Sequence, residues 1–346
     1  MTNSFNENLI ISSQAEVFLN EYFNNTPHKI YQLAGDASAR KYYRIIHNEE
    51  TYVLMSWEPF NPENYPFISV LNHFKTNHIH VPEIKKIGAD IGLILLEDLG
   101  DLTLERKFWE SHQQESSWDF YKKSLDEIIK IHTVATESPH KTIAKEIMFD
   151  TAKLSWELNY AREHLIEGLL KYTLKDSVQN EVQKIFTALS EKLHSQPKVI
   201  CHRDYHSRNL MIKLDQVYVI DFQDARLGPI QYDLVSLIKD SYVDINEDYA
   251  KKMLNYYLDQ TSFLNKFNLS ADQFYHIYEL QSIQRCFKAC GSFASFMNTR
   301  SDRRYLKYLT PTLKKVVKSL AHFPEYKTLM DILIDSAALE KNYERM

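Results

Sequence analysis

Apolar positions along the chain change period partway through. Residues 8–24 carry the spacing of an amphipathic helix, and a strand-rich stretch follows. Lys29–Leu33 alternates like a half-buried strand, Lys41–Ile46 and Thr51–Met55 form a hairpin pattern around His47-Asn48-Glu49-Glu50, and Tyr65–Thr76 returns to helical spacing. Glu83–Gly88 and Gly92–Leu96 predict a second strand pair. Beyond Gly100 the period is mostly helical. Trp118, Tyr121, Leu125, Ile128 and His132 share one helix face, which makes His132 a packed histidine and not a ligand. Helices are predicted over 151–168, 176–194, 232–242, 247–258, 271–298 and 303–322. Between the second and third of these lie short apolar runs, Val199–Cys201, Leu210–Ile212 and Val217–Ile220, with Asp215-Gln216 as the turn joining the last two.

The order strand, strand, strand, helix, strand, strand is that of the small lobe of a kinase fold. The expected architecture is therefore α+β: a bilobal protein-kinase-like fold with a small β-rich N-lobe (1–98) and a larger, mainly helical C-lobe (99–346). The lobes meet near Glu97-Asp98-Leu99-Gly100, a hinge whose backbone would bond the adenine of ATP.

Composition narrows the picture further. In 346 residues, 44% are hydrophobic, enough for a substantial core. A formal charge of −5 with interspersed signs argues against a nucleic-acid partner, which needs a clustered basic surface. Met1–Ile10 has neither a basic nor an apolar leader region, and no apolar run approaches the ~20 residues of a membrane span. Cys201, Cys286 and Cys290 form no disulfide framework; the last two, four apart on a helix, read as buried or half-buried thiols. Together these features predict a reduced, cytoplasmic protein without a membrane partner.

The chemistry sits in Val199–Leu210 and Tyr218–Asp224. His202-Arg203-Asp204 is followed five residues after Asp204 by Asn209, and Asp221 ends the next apolar strand. An Asp, an Asn and a second Asp in this arrangement supply a base and two oxygen ligands for Mg²⁺. Asp204 would orient and deprotonate an attacking hydroxyl, while Asn209 and Asp221 would hold the metal. Two other readings were weighed: a solvated charged hairpin, and a zinc site from Cys201, His202 and His206. The zinc site lacks the Glu of a zincin, and a hairpin does not bring residues i and i+4 to one face.

The nucleotide side departs from the usual kinase pattern. Leu33–Arg40 occupies the place of a phosphate-covering loop, with Gly35 and Ser38 as candidates for close approach, but it is no G-x-G-x-x-G. The third strand, Tyr52-Val53-Leu54-Met55, has no Lys for the α/β-phosphates, and helix 65–76 has no internal Glu. Arg40 and Arg44, on one strand face by alternation, are candidate replacement cations. Glu97 and Leu99 belong to the adenine-binding hinge.

The acceptor is predicted to be small. Tyr232 opens a helix eleven residues after Asp221, leaving no room for a peptide-docking segment, and the residue two after Asp204 is His206, not the Lys common in Ser/Thr kinases. Arg208, Gln223 and Asp224 are candidate substrate contacts. Arg285 and Lys288, three apart on one helix, can meet an acidic substrate or form a surface salt-bridge pair. Asp233 is expected to brace the catalytic loop.

Taken together, LAGDASARKYYRI (33–45), YVLM (52–55), HVPEI (80–84), GLILLEDLGD (92–101), HRDYHSRNLMI (202–212) and IDFQDARLGPIQYDLVSL (220–237) resemble the aminoglycoside phosphotransferase / choline kinase superfamily. Within it the resemblance is to bacterial anomeric kinases of N-acetylated amino sugars. It implies ATP-dependent phosphorylation of a C1 hydroxyl to a sugar 1-phosphate for cell-wall precursor recycling, with Asp204 as base and Asn209 and Asp221 on Mg²⁺. It also implies that the missing strand Lys is compatible with activity. A kinase of another small alcohol, or an inactive nucleotide-binding scaffold, remains open at this point, as does the oligomeric state.

Overall fold

The computed structural model describes residues 11–33, 40–111 and 113–345. Within the first hundred residues lies a five-stranded antiparallel sheet of β1 (Lys29–Gln32), β2 (Lys41–His47), β3 (Glu50–Ser56), β4 (Ile84–Gly88) and β5 (Leu93–Glu97), in the order β1-β2-β3-β5-β4. Alternation gives the sheet two apolar faces. Tyr43, Ile45, Tyr52, Leu54, Leu93 and Leu95 pack on Phe18 and Leu19 of α1 (Ser13–Tyr22), whose N-terminus is capped by the Ser12 hydroxyl. Met55, Ile94 and Leu96 on the other face join α2 (Pro66–Thr76), which starts with Pro at its first position.

The apolar surface behind α2 is continuous with the core of the helical body. Among the described residues this body contains α3 (Leu104–Glu110), α4 (Trp118–Lys130), α5 (Thr151–Ala161), α6 (Asp176–His194), α7 (Gln231–Ile238), α8 (Glu247–Gln260), α9 (Phe263–Lys266), α10 (Ala271–Arg300), α11 (Leu309–Leu320) and α12 (Lys327–Asp335). Helix α10 starts at a capping box made by Ser270 and Gln273 and runs through the middle of the body. It crosses α5 so closely that a Cβ on Gly291 would lie 2.3 Å from Ala161 Cα. Among the described residues no helix is long and apolar enough to cross a membrane.

The strand, strand, strand, helix, strand, strand order is present as expected, and the fold is of the protein-kinase-like class. Three helices differ from the sequence reading; the one predicted over 232–242 ends at Ile238. The one predicted over 151–168 widens into π-turns over Arg162–Leu169. The one predicted over 303–322 starts at Leu309, because Pro311 fits only a first helical turn, where its missing N–H has no partner to lose.

Candidate active site

Two small two-stranded sheets carry the catalytic segment. β6 (Lys198–Cys201) pairs with β9 (Arg226–Pro229), and β7 (Leu210–Lys213) pairs with β8 (Gln216–Val219). The turn of the second pair is Leu214-Asp215, with φ of 48° and 61°, and not Asp215-Gln216. Lys213 and Gln216 are already ladder partners, so a two-residue turn with both central φ positive closes the hairpin.

The loop between β6 and β7 is held from beneath. Asp233 on α7, fully buried, accepts the backbone N–H groups of His202 (2.5 Å) and Arg203 (3.0 Å), fulfilling the expected bracing role. It thereby fixes Arg203 at φ 87°, a strained backbone for a residue with a side chain. His202 Nε2–H donates to the Ile220 carbonyl at 2.9 Å, and the Tyr205 hydroxyl donates to Ser124 O at 2.7 Å. Buried Asp240 accepts from Ser207 N at 2.8 Å. The alternative trio Cys201, His202 and His206 is not brought together. Among the described residues, the cluster close enough to share an ion is His132, Cys201 and Asp233, enclosed below the loop.

Asp204, Asn209 and Asp221 open on one cleft of about 800 Å³. Asn209 Nδ2 donates to the Asp204 carbonyl at 2.9 Å and faces Asp221 Oδ2 at 3.4 Å, while Gln223 Nε2 donates to Asp221 Oδ1 at 2.7 Å. Asp221 sits at φ 63°, another strained position. Solvent reaches it through the cleft, but it lies deep. Its surroundings push its carboxyl above the ordinary range, the Gln223 bond opposes this, and the Asp204 charge adds to the push. A carboxylate in that position, beside an amide oxygen, is short of positive charge and presents the hard oxygen donors that a divalent cation takes. The next residue, Phe222, packs at 5.2 Å from Phe67 and 5.8 Å from Phe74 on α2. An aromatic stack thus joins α2 to the Asp221 strand, in a helix without an internal Glu.

Asp204 has the opposite electrostatic setting. Burial by itself would raise its carboxyl, but the Lys288 ammonium and the Arg285 guanidinium prevail and hold it well below the usual carboxylate range. Arg285 Nη2 and Lys288 Nζ lie 3.0 Å and 3.3 Å from the same oxygen, Oδ1. The expectation of a surface pair is therefore corrected: Arg285 is buried and Lys288 is largely enclosed at the cleft wall, because α10 is surrounded by other helices. Cys201, Cys286 and Cys290 are buried too.

On the nucleotide side, Leu33, Val53, Leu96, Leu99, Met211 and Ile220 give the cleft an apolar wall. Val53 is the ladder partner of Arg44. Arg44 lines the cleft, yet its guanidinium is doubly clamped: Nε and Nη2 meet Asp98 at 2.5 Å and 3.0 Å, and Nη1 and Nη2 meet Asp101 at 3.1 Å and 2.9 Å. Asp98 also accepts Gly100 N at 2.8 Å, and Gly100 adopts φ 79°, which suits glycine. Arg44 thus ties β2 to the hinge instead of presenting a free charge. Arg40 lies over the Trp57 ring at 5.9 Å and its charge is felt by Asp221. Glu97 receives Lys213 Nζ at 2.7 Å, a side-chain role within the hinge, while Leu99 is buried against the cleft. Gly35 and Ser38 lie outside the described residues.

At the other end, Gln223 lines the cleft, but Asp224 does not. Asp224 is turned to Arg203 Nη1 at 3.1 Å, so it stands apart from the predicted sugar or metal contacts. Arg208 is engaged bidentately by Glu105 (2.8 Å and 3.0 Å) and lies 3.8 Å over the Tyr242 ring. Sequence reasoning passed over Asp98 and Asp101 as a clamp, and over Lys239, Tyr242, Phe293, Phe296 and Tyr305 as cleft lining. The acid pair stood in the hinge motif, but its partner is 54 residues away from Asp98. The aromatic lining carries no local signal.

A kinase-type fold with paired acidic groups facing one cleft defines a phosphotransferase acting on a hydroxyl acceptor. The chain belongs to the phosphotransferase enzyme family (APH), which it matches over residues 29–267. It is similar to the N-acetylmuramate/N-acetylglucosamine kinase of Pseudomonas putida, 26% identical over 306 residues covering 88% of this chain and 87% of that one. The protein of the same name from Neisseria meningitidis is 26% identical over 319 residues, covering 90% and 92%. Among solved structures, choline kinase LicA from Streptococcus pneumoniae superposes with a TM-score of 0.59 at 17% identity, covering 90% of this chain and all (100%) of that one. The gentamicin complex of APH(2")-IIa gives 0.55 at 14% identity, with 88% and 97% covered. The protein is a small-molecule kinase of this family, with ATP as its phosphoryl donor.

Proposed function

We propose that this kinase phosphorylates the anomeric C1 hydroxyl of N-acetylglucosamine, N-acetylmuramate or both, producing a sugar 1-phosphate for cell-wall precursor recycling in the cytoplasm. The observation that carries this reading is the meeting of Asp204, Asn209 and Asp221 at one cleft, in a chain whose named relatives match 88–90% of its length.

In this reading Asp204 is the base. Its Oδ1 is occupied by Arg285 and Lys288, and Oδ2, with Arg203 Nε at 4.0 Å, is the oxygen left for the acceptor hydroxyl. The three cations make it a weak base, and an anomeric hydroxyl, more acidic than an ordinary alcohol, matches such a base. Proton removal contributes ~10²–10⁴-fold, and positioning supplies much of the rest. Asn209 and Asp221 fit Mg²⁺, which when bound neutralises charge on the nucleotide phosphates. The adenine would rest on the wall of Leu33, Val53 and Leu96, with its hydrogen bonds to the backbone of Glu97–Leu99, and Arg40 is the candidate phosphate cation in place of the strand Lys. The sheet-bearing lobe, 1–98, would close over the nucleotide against the 99–346 lobe.

The short connection from Asp221 to α7 favours a small acceptor over a peptide. A cationic alcohol such as choline or an aminoglycoside is disfavoured by Arg208, Lys239, Arg285 and Lys288 around the acceptor end. The test is ATP consumption with N-acetylmuramate, N-acetylglucosamine, choline and an aminoglycoside panel. Turnover on either N-acetyl sugar is expected. Turnover restricted to aminoglycosides or choline would reject the sugar assignment, and tight Mg-ATP binding without any turnover would favour an inactive scaffold.

A further inference from the structure

Phosphoryl transfer leaves charge spread over three equatorial oxygens, and the protein must meet it with positioned cations. The place two residues after the base holds an imidazole, His206, and not an ammonium. Most other Arg and Lys side chains lining the cleft are engaged. Arg44 is held by Asp98 and Asp101, Arg208 by Glu105, Lys239 by Glu279 and Ser319, and Arg285 by Asp204 and Ser236.

Lys288 differs. Its side chain is 13% exposed, it lines the cleft, and among the described residues its hydrogen-bond partner is Asp204 Oδ1 at 3.3 Å. An ammonium has three N–H donors, and a desolvated donor left unmet is unfavourable. Burial also pulls the Lys288 pKa down, against the pull of Asp204. An anion arriving beside Asp204 would satisfy both deficits. The arriving group is defined by the chemistry: the hydroxyl that touches Asp204 is the one that becomes bonded to the transferred phosphorus.

We infer that Lys288 is a catalytic cation, its ammonium bridging the base Asp204 and the oxygens of the phosphoryl group in transit, and not a contact to an acidic group on the acceptor. The inference rests on the kinase reading above. The acceptor O–H gives its proton to Asp204, and the oxygen's electron pair forms the new bond to the γ-phosphorus. The bond from phosphorus to the bridging oxygen breaks, and its pair leaves on ADP. Lys288 stays protonated throughout. It supplies from α10 a cation on Asp204, whereas the loop's own Arg203 and Arg208 are turned to Asp224 and Glu105.

The test compares the full-length wild type with Lys288→Met and Lys288→Arg, using one neutral acceptor (N-acetylglucosamine) and one acidic acceptor (N-acetylmuramate). Lys288→Met should lower kcat about 10²–10³-fold for both sugars alike, the scale seen when one preorganised transition-state donor is removed. KM for ATP and for each sugar should change little, and Lys288→Arg should recover a large part of kcat. Binding of Mg-ADP with aluminium fluoride, which imitates the phosphoryl in transit, should weaken while Mg-ADP binding is kept. Retained Mg-ADP binding also reports that the variant is folded, and Lys288→Gln serves if the Met variant is not. A loss confined to KM for the acidic sugar, or unchanged kinetics, would overturn the inference. If the wild type turns over neither sugar but still traps aluminium fluoride in a Lys288-dependent way, the sugar assignment fails and the role of Lys288 stands.

Discussion

On the catalytic wall of the cleft, polar groups are held in place by buried neighbours. Asp233 accepts two loop amides, Asp240 takes a third, and Arg285 and Lys288 converge on one oxygen of Asp204. On the nucleotide wall, the strong polar contacts join one protein segment to another: Arg44 to Asp98 and Asp101, and Lys213 to Glu97. The first wall uses charge to set Asp204, the base of the proposed reaction; the second uses charge to hold the sheet, hinge and hairpin together, and leaves an apolar slot. The difference teaches that the absent strand Lys is no isolated gap. The neighbouring Arg that stands opposite its position already has a structural partner.

Four substitutions separate the walls, in decreasing order of expected effect. Asp233→Ala removes a charged acceptor from two loop backbone amides, and at about 1.5–3 kcal/mol per such bond it should lower unfolding free energy by about 3–6 kcal/mol, read by denaturant titration. A loss below about 1 kcal/mol would mean that the loop holds its shape without the brace. Arg44→Met leaves the buried Asp98 carboxylate without its main cation and should destabilise by about 3 kcal/mol, with little change in KM for ATP. A large rise in KM without loss of stability would break the comparison and return Arg44 to a phosphate role.

The third substitution concerns pH. The folded state keeps His206 neutral down to about pH 3, whereas an unfolded histidine protonates near 6.5. Between those values the unfolded chain binds more protons, so stability falls as pH drops from about 6.5 toward 3, by at most about 1.4 kcal/mol per pH unit from this group. His206→Gln should flatten that slope in melts between pH 7 and 5; an unchanged slope would remove His206 as its source. Asp101→Asn, on the exposed arm of the Arg44 clamp, should alter stability by less than about 1 kcal/mol, because solvent screens that pair. A loss as large as that of Arg44→Met would show that both arms of the clamp matter equally.

Much of the fold was legible because it is written in local periods. The β2–β3 hairpin, α2 and α6 lie where alternation and helical spacing place them, and the loop from His202 to Asn209 carries its own motif. Arg285 and Lys288 were harder to read. They sit on α10, which is enclosed on many sides and buries polar residues such as Gln281 and Gln284, so its sequence lacks the apolar stripe that separates core from surface. Asp224 looked like a site residue from its place beside Asp221, but the chain turns after Phe222 and points it to Arg203. The Arg44 clamp joins residues far apart in sequence, which no local pattern records.

In the proposed reaction Asp204, weakened by Lys288, Arg285 and Arg203, serves phosphoryl transfer to an anomeric hydroxyl. The most direct test is ³¹P NMR of product formed from Mg-ATP and N-acetylglucosamine by the wild type and by Asp204→Asn. A phosphate on C1 is expected with the wild type, and formation slowed by about 10²–10⁴-fold in the variant with Mg-ATP binding retained. Phosphate on any other hydroxyl, or product at the wild-type rate from Asp204→Asn, would contradict it.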